Sequence, residues 1–346
     1  MNILVTGANG FLGQEVVRQL LAQGNEVVGY DRSLVCAIEH AAYRYVQGDL
    51  ADLASLLESC RSRPVNAIVH TAAISHPVDS RRIPLQTVLT NALGTTHVFE
   101  CARLSGISRV VNLSSECAYG PNREMDVVDE RAPLEPTTPY GCTKVFTEKL
   151  GQVYSDLYQV SVVSLRPGWI YGPGQFMQCY LKSMLRSAID NEPWHEEEGG
   201  DYRFQYVHVV DVAHACVLAA TVQEERLQQR VFNVTAGEQD SYRAVAAQVR
   251  KFYPNAQLSI GPGTLNVLDE NARFDISAAG DQLGYAPGST CMKALPCMRS
   301  GWNSILTNGL KAGVIHENLS GNRCCTGHRP CGRACSWRAR QSCRSQ

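Results

Sequence analysis

A short apolar run, Ile3-Leu4-Val5, passes through Thr6 into three glycines set three apart, Gly7, Gly10 and Gly13, and then into Val16, Val17, Leu20 and Leu21 at helical period. A strand that enters a glycine turn and leaves it as a helix has few ways to fold. An unbroken apolar run fits a strand covered on both faces, as in a parallel sheet. Glycines let the backbone approach a pyrophosphate, which can then rest on the helix N-terminus. A second run, Glu26-Val27-Val28-Gly29-Tyr30, ends at Asp31, where a carboxylate can accept from adenosine ribose hydroxyls. Together these residues predict a dinucleotide site.

The alternation continues along the chain. Ala67–His70 reads as a strand, 87–104 as a long helix, 109–113 as a strand, 143–157 as helical and 160–165 as a β-branched strand. Strands alternating with helices predict an α/β fold with a Rossmann-like, doubly wound parallel sheet. Ligands of such sheets bind beyond the carboxyl ends of the strands. Ser114 and Ser115 lie at one such end, directly after Val110-Val111-Asn112-Leu113. Tyr140 and Lys144 are four apart, on one face of a helix. An ammonium near a phenol favours the phenolate, which could take a hydroxyl proton while the adjoining carbon gives up hydride.

With these residues in view, the chain resembles the NAD-dependent epimerase/dehydratase family of extended short-chain dehydrogenases/reductases. Thr6-Gly7-Ala8-Asn9-Gly10-Phe11-Leu12-Gly13 matches that family's TGxxGxxG loop. Gly48-Asp49-Leu50 resembles its adenine-contacting turn, and His70-Thr71-Ala72-Ala73 its HxAA segment beside the cofactor. Asn91 with Gly94-Thr95 is similar to the helix motif near its active site, and Ser114-Ser115-Glu116-Cys117-Ala118-Tyr119-Gly120 to its SSxxxYG strand end. Arg166-Pro167, Tyr171-Gly172-Pro173, Val207-His208-Val209 with Asp211, and Asp275 with Leu283-Gly284 extend the likeness over about 285 residues.

The resemblance implies that Tyr140 is the acid/base. It implies that Lys144 lowers the tyrosine pKa and binds the nicotinamide ribose, and that Ser115 hydrogen-bonds the reacting oxygen. It implies a cofactor lined by Gly7, Asn9, Gly10, Phe11, Leu12, Gly13, Asp31, Arg32, Asp49, Leu50, Thr71, Ala72, Ala73, Asn91, Tyr140, Lys144 and Pro167. Asp31 points to NAD over NADP, although Arg32 beside it could accept a 2′-phosphate. Ser115, Glu116, Trp169 and Arg203 are the expected substrate contacts, and no metal is expected. A homodimer through a helix pair is common among relatives.

Three departures bear on the reaction. Dehydratases of the family carry Asp-Glu after the catalytic Ser/Thr, and here Glu116-Cys117 lacks the second carboxylate. Nucleotide-sugar epimerases usually carry Asn where Trp169 stands, and Arg-Asp where Phe204 and Gln205 stand, with Arg203 one residue away. Losing a diphosphate-binding arginine is costly. The expectation is an NAD-dependent oxidoreductase taking hydride from a secondary alcohol of a sugar-like substrate. A nucleotide-sugar epimerase with tightly held NAD is the alternative, and a non-catalytic NAD(P)-binding regulator a lesser one.

Charge divides the chain. The whole carries −1, yet residues 291–346 hold nine Lys/Arg against Glu317 alone, and residues 1–290 hold 23 basic and 32 acidic residues. Seven of the 14 cysteines fall in that terminal stretch. The organisation expected is a cofactor domain over 1–165, an interleaved substrate domain over 166–290, and an atypical tail over 291–346. For the tail we consider a zinc site at Cys325, His328, Cys331 and Cys335, a basic segment for acidic partners, and a shifted reading frame. Read one nucleotide earlier from Thr290, the code permits Leu-His-Glu-Gly-Ile-Ala with its Glu forced, a string like the family's final helix opening. The balanced overall charge gives no case for nucleic acid or an anionic membrane. No apolar run reaches the roughly 18 residues of a membrane span, and no secretory leader is visible, so a cytoplasmic protein is expected.

Overall fold

The computed structural model describes residues 1–288 apart from 62, 178, 266 and 267. The three readings of the tail at 291–346 lie outside the described residues. The central sheet contains β1 (Asn2–Thr6), β2 (Glu26–Asp31), β3 (Tyr43–Gln47), β4 (Ala67–His70), β5 (Arg109–Leu113), β6 (Ser161–Pro167) and β7 (Val231–Val234). All its pairings are parallel, in the order β7-β6-β5-β4-β1-β2-β3. Strand order reverses between β1 and β4, so a crevice opens at their carboxyl ends.

Both faces are covered, as the unbroken apolar strands require. On one side, α1 (Phe11–Ala22) and α6 (Val209–Thr221) pack Val16, Val17, Leu20, Val212 and Val217 against Ile3, Val5 and Val69. On the other, α2 (Leu53–Arg61), α3 (Gly94–Ser105) and α4 (Pro139–Tyr158) bring Leu56, Val98, Phe99 and Tyr154 onto Leu4, Val28, Ile68 and Val110. Among the described residues no helix is long and apolar enough to cross a membrane.

Two expected elements differ. The long helix at 87–104 is three joined pieces: Pro84–Val88, a π-helical turn at Leu89–Leu93, and α3. Such a turn re-aims one side chain, here the buried Asn91. The family resemblance implies a strand around Tyr206–Val209 that returns to the sheet side, and this strand instead pairs with Trp169–Tyr171. The strand that joins the sheet is β7, beside β6. Helix α6 explains the exchange, because it is apolar on almost every side and packs against both α1 and the sheet, so the chain returns after it.

A second apolar cluster joins α5 (Tyr180–Asp190) and α7 (Tyr242–Phe252) beneath an aromatic group centred on Phe204. Its ring lies 4.6 Å from Tyr202, 4.9 Å from Tyr206 and 5.3 Å from Trp169, centroid to centroid. Beside it, Gln205 donates from Nε2 to the Ala272 carbonyl at 2.9 Å and accepts from the Phe274 amide at 2.7 Å. The Phe204-Gln205 departure thus serves as core and clamp.

The glycine loop is close-packed. A Cβ on Gly13 would stand 2.0 Å from the Gly7 carbonyl oxygen. Gly7 itself has φ +71°, and a Cβ there would meet the Ala72 amide nitrogen at 2.7 Å. We expect Gly13→Ala to cost about 1–3 kcal/mol of stability and to weaken NAD binding. Urea unfolding midpoints and NAD titration measure both, and an unchanged midpoint would show that the loop can relax.

Candidate active site

Ser115 follows the end of β5, and its hydroxyl accepts from the Cys117 amide at 3.2 Å, capping the short turn Glu116–Ala118. Tyr140 and Lys144 occupy the first turns of α4. That helix begins with Pro139, and its cap, Thr138, accepts from the Gly141 amide at 3.0 Å. The pattern expected at 143–157 therefore starts earlier, at a Thr-Pro signal. The Lys144 ammonium donates to the Leu113 carbonyl at 2.5 Å and lies 5.4 Å from the Tyr140 ring centroid. Cys142, between them in sequence, is exposed and faces elsewhere.

Electrostatics here correct one expectation. Burial raises the Tyr140 phenol well above its usual range; the Cys117 thiol and Glu116 add to that, while the Ser115 hydroxyl acts against it. The Lys144 ammonium is not among the groups that act on the phenol, and burial brings its own pKa down to about 8 despite the Glu148 carboxylate. Desolvation outweighs charge pairing for both groups. His70 is a scaffold residue: its ring joins Thr6 Oγ1 at 2.7 Å and Thr95 Oγ1 at 2.9 Å, and burial lowers its pKa to about 3.

One turn beyond Lys144, sequence reading missed Glu148. Its Oε1 accepts from the Ser114 hydroxyl and from Arg166 Nε at 2.8 Å, and its Oε2 from Arg166 Nη2 at 2.6 Å. Both side chains of the pair are only 3% exposed. The Arg166 guanidinium also lies 4.5 Å from the Tyr119 ring centroid and donates to the Glu130 carbonyl at 3.1 Å. The four-residue step from Lys144 was the available signal. The pair ties α4 to β5 and β6 directly beneath the reacting groups.

The residues expected around a cofactor separate into two groups. Gly10, Phe11, Leu12, Gly13, Thr71, Ala73, Lys144 and Pro167 line one large cavity together with Ser115 and Tyr140. Thr71 donates to the Thr6 carbonyl at 2.8 Å, and the Ala72 amide presses on Gly7. Asp31 caps the far end of the loop, one carboxylate oxygen accepting from the Asn9 amide at 3.1 Å and the other from the Ser33 amide at 3.0 Å. The Asn9 side chain donates to Tyr45 at 3.0 Å, and Arg32 is exposed. Asp49 is exposed and holds its own turn, its Oδ1 accepting from the Ala51 amide at 2.9 Å, while Leu50 is buried against Gly94. Asn91 takes part at one remove. It accepts from the Ile74 amide at 2.8 Å, donates to the Ile74 carbonyl at 2.9 Å and reaches Thr143 on α4 at 3.2 Å.

This arrangement fits NAD: a cradle that any Cβ would fill, a helix N-terminus behind it, and a carboxylate with lone pairs to spare at the adenosine end. Gly7, Gly10 and Gly13 would take the pyrophosphate, Asp31 the ribose hydroxyls, and Lys144 the second ribose. Bound NAD supplies the hydride acceptor.

Toward the substrate end, Glu116, Cys117, Trp169, Phe176, Met177 and Cys179 continue the cavity wall. Arg203 is not among them. It lies in a separate hollow with Arg123, Asp201, Glu270 and Arg273. Alternation along its short strand buries Phe204 and turns Arg203 outward.

A doubly wound sheet with a glycine cradle and a Ser-Tyr-Lys group at its crevice defines a nicotinamide-dependent short-chain oxidoreductase. The chain belongs to the NAD dependent epimerase/dehydratase family, whose family model matches residues 3–235. It is 32% identical over 311 residues to a UDP-glucose 4-epimerase of Mycolicibacterium smegmatis, covering 83% of this chain and 94% of that one. Among solved structures, MoeE5 in complex with UDP-glucose and NAD superposes with a TM-score of 0.78 at 26% identity, over 88% of this chain and 100% of that one. Thermus thermophilus UDP-glucose 4-epimerase, complexed with NAD, gives 0.77 at 25% identity, over 88% and 99%. The protein is an NAD-dependent enzyme of this family.

We expect Glu148→Ala to destabilise the protein by about 3–5 kcal/mol, because it leaves the Arg166 charge buried and unpaired. Adding Arg166→Met should recover part of that loss. Denaturant midpoints of the two single variants and the double variant decide it, and a double-variant loss equal to the sum of the single losses would mean the pair is not energetically coupled.

Proposed function

We propose that the protein removes hydride from a secondary alcohol of a sugar-like substrate, with Tyr140 taking the hydroxyl proton, Ser115 hydrogen-bonding the reacting oxygen and Lys144 binding the nicotinamide ribose. The observation that carries this reading is the meeting of all three side chains in the cavity that begins at the glycine cradle. The phenol is held protonated in its buried site, so in the direction of reduction Tyr140 can donate to a carbonyl oxygen as hydride arrives at the carbon. For oxidation, Ser115 bridges substrate and phenol, and Tyr140 takes the hydroxyl proton.

A second reading, a nucleotide-sugar 4-epimerase that keeps its NAD, is favoured by relatives such as the UDP-glucose 4-epimerases and by their full-length coverage. Against it stands the substrate end. Its hollows carry Glu116, Glu196 and Asp269 with Arg81 as the cation, a poor setting for a diphosphate. A cytoplasmic site suits the seven described cysteines, all of them free.

Cofactor release, substrate turnover and a Tyr140 variant test these readings. Denaturing protein purified without added NAD, and measuring released nicotinamide cofactor, separates the readings. Near-stoichiometric NAD supports the epimerase, whereas empty protein that binds added NAD supports the exchanging oxidoreductase. A panel of UDP-glucose, UDP-galactose, free glucose, free galactose and the matching uronic acids then seeks turnover. Tyr140→Phe should lower kcat about 10²- to 10⁴-fold with NAD affinity kept. Undiminished kcat would sink the assignment.

We further propose that a second copy of the chain covers one apolar face. Leu85, Leu89 and Leu93 on one helical run, and Phe146, Val153 and Leu157 on α4, are 44–71% exposed along two helices that touch. Two such stripes give a patch that monomers rarely leave in water. Light scattering should report a dimer, and Leu89→Glu with Val153→Glu a monomer. A monomeric wild type at micromolar concentration would contradict this.

A further inference from the structure

Glu116 is 5% exposed and lines both the main cavity and the hollow beside it. Among the described residues its carboxyl has no hydrogen-bond or ion-pair partner. The polar groups around it are engaged elsewhere. The Ser115 hydroxyl holds the Cys117 amide, Tyr202 donates to the Asp269 carbonyl at 2.7 Å, and the Asp269 carboxylate accepts from Thr137 at 2.7 and 2.9 Å. Burial, with repulsion from the nearby Asp269 added to it, raises the Glu116 carboxyl well above the usual carboxylate range. A largely desolvated carboxyl with no protein partner, opening on a cavity, is costly to hold there. Such a group in a cavity wall is explained by a ligand that satisfies it.

The position of the carboxyl narrows the ligand. Glu116 follows Ser115 in the chain, and it lines the same cavity as Ser115 and Tyr140. A substrate whose reacting oxygen rests on Ser115 and Tyr140 therefore presents its neighbouring carbon to Glu116. A hydroxyl both donates and accepts, so it pairs with a carboxyl in either protonation state. We infer that Glu116 is a specificity-determining group that hydrogen-bonds a second substrate hydroxyl, adjacent to the one Tyr140 acts on, so that the site selects a vicinal diol. This rests on the sugar-alcohol reading given above and adds which feature of the sugar is recognised.

The test has two arms. In the first, NAD-loaded wild type, Glu116→Leu and Glu116→Gln are titrated calorimetrically with glucose, free or carried on UDP, and with its single-deoxy analogues. The wild type should lose about 100-fold in affinity for one analogue only. Glu116→Leu should bind that analogue and the parent sugar equally, and Glu116→Gln should recover part of the preference. Equal discrimination by wild type and Glu116→Leu overturns the inference.

In the second arm, thermal unfolding is followed without sugar. Glu116→Leu should melt about 2 °C or more above wild type, because an unsatisfied carboxyl has been removed. A lower or unchanged melting temperature overturns the inference by giving the carboxyl a structural role. Should NAD-loaded wild type bind none of the sugars, the proposed function fails. The melting arm then decides separately whether Glu116 is a group held for a ligand.

Discussion

The Glu148–Arg166 pair is the interaction on which the site's geometry rests. It lies beneath the reacting groups and joins the catalytic helix to the two strands whose ends supply Ser115 and Pro167. Through the Ser114 hydroxyl it fixes the turn that carries Ser115. Four residues earlier on the same helix, Lys144 reaches the last carbonyl of β5. A buried pair of this kind adds little net stability over an apolar substitute, since desolvation consumes most of the attraction. It does add registry. Helix α4 cannot slide or turn against the sheet without stranding a charge, and the Tyr140–Ser115 relation is held accordingly.

The site combines rigid positioning with groups that are poorly satisfied by the protein itself. Burial raises the phenol, weakens the ammonium and raises the Glu116 carboxyl. Each effect has the same origin, a cavity wall with few compensating charges. Proton transfer and hydroxyl recognition need groups that are not already neutralised by neighbours, and such groups cluster where a ligand is to complete them. The aromatic core around Phe204 belongs to the same design. Phe204, where the family resemblance implies an arginine, serves packing, and Gln205 fastens the segment that ends in Phe274.

Much of this was legible in the residues. The glycine spacing, the acid ending β2, and the Tyr140–Lys144 step are local patterns whose meaning survives in any fold that accepts them. The strands at 67–70 and 109–113 were legible because unbroken apolar runs have one comfortable environment. Less legible were features set by contacts far apart in sequence. Asn91 resembles a cofactor contact in its motif but acts as a clamp on Ile74 and Thr143, because a π turn redirects it. Arg203 resembles a substrate cation by proximity in sequence, yet strand alternation turns it to another hollow.

The sequence by itself determined the class of fold, the glycine cradle and the placing of Tyr140 and Lys144 on one helix face, since each depends on residues within one or two turns of one another. Tertiary structure decided the rest. It made β7, instead of the segment at 206–209, the strand that closes the sheet, because the all-apolar helix α6 had first to be buried against α1. It set the balance between burial and charge at Tyr140, which spacing alone misjudged. It also left Glu116 facing a cavity without a partner: the groups that might have satisfied it come from residues 137, 202 and 269, and only folding shows that their hydrogen bonds are spent on one another.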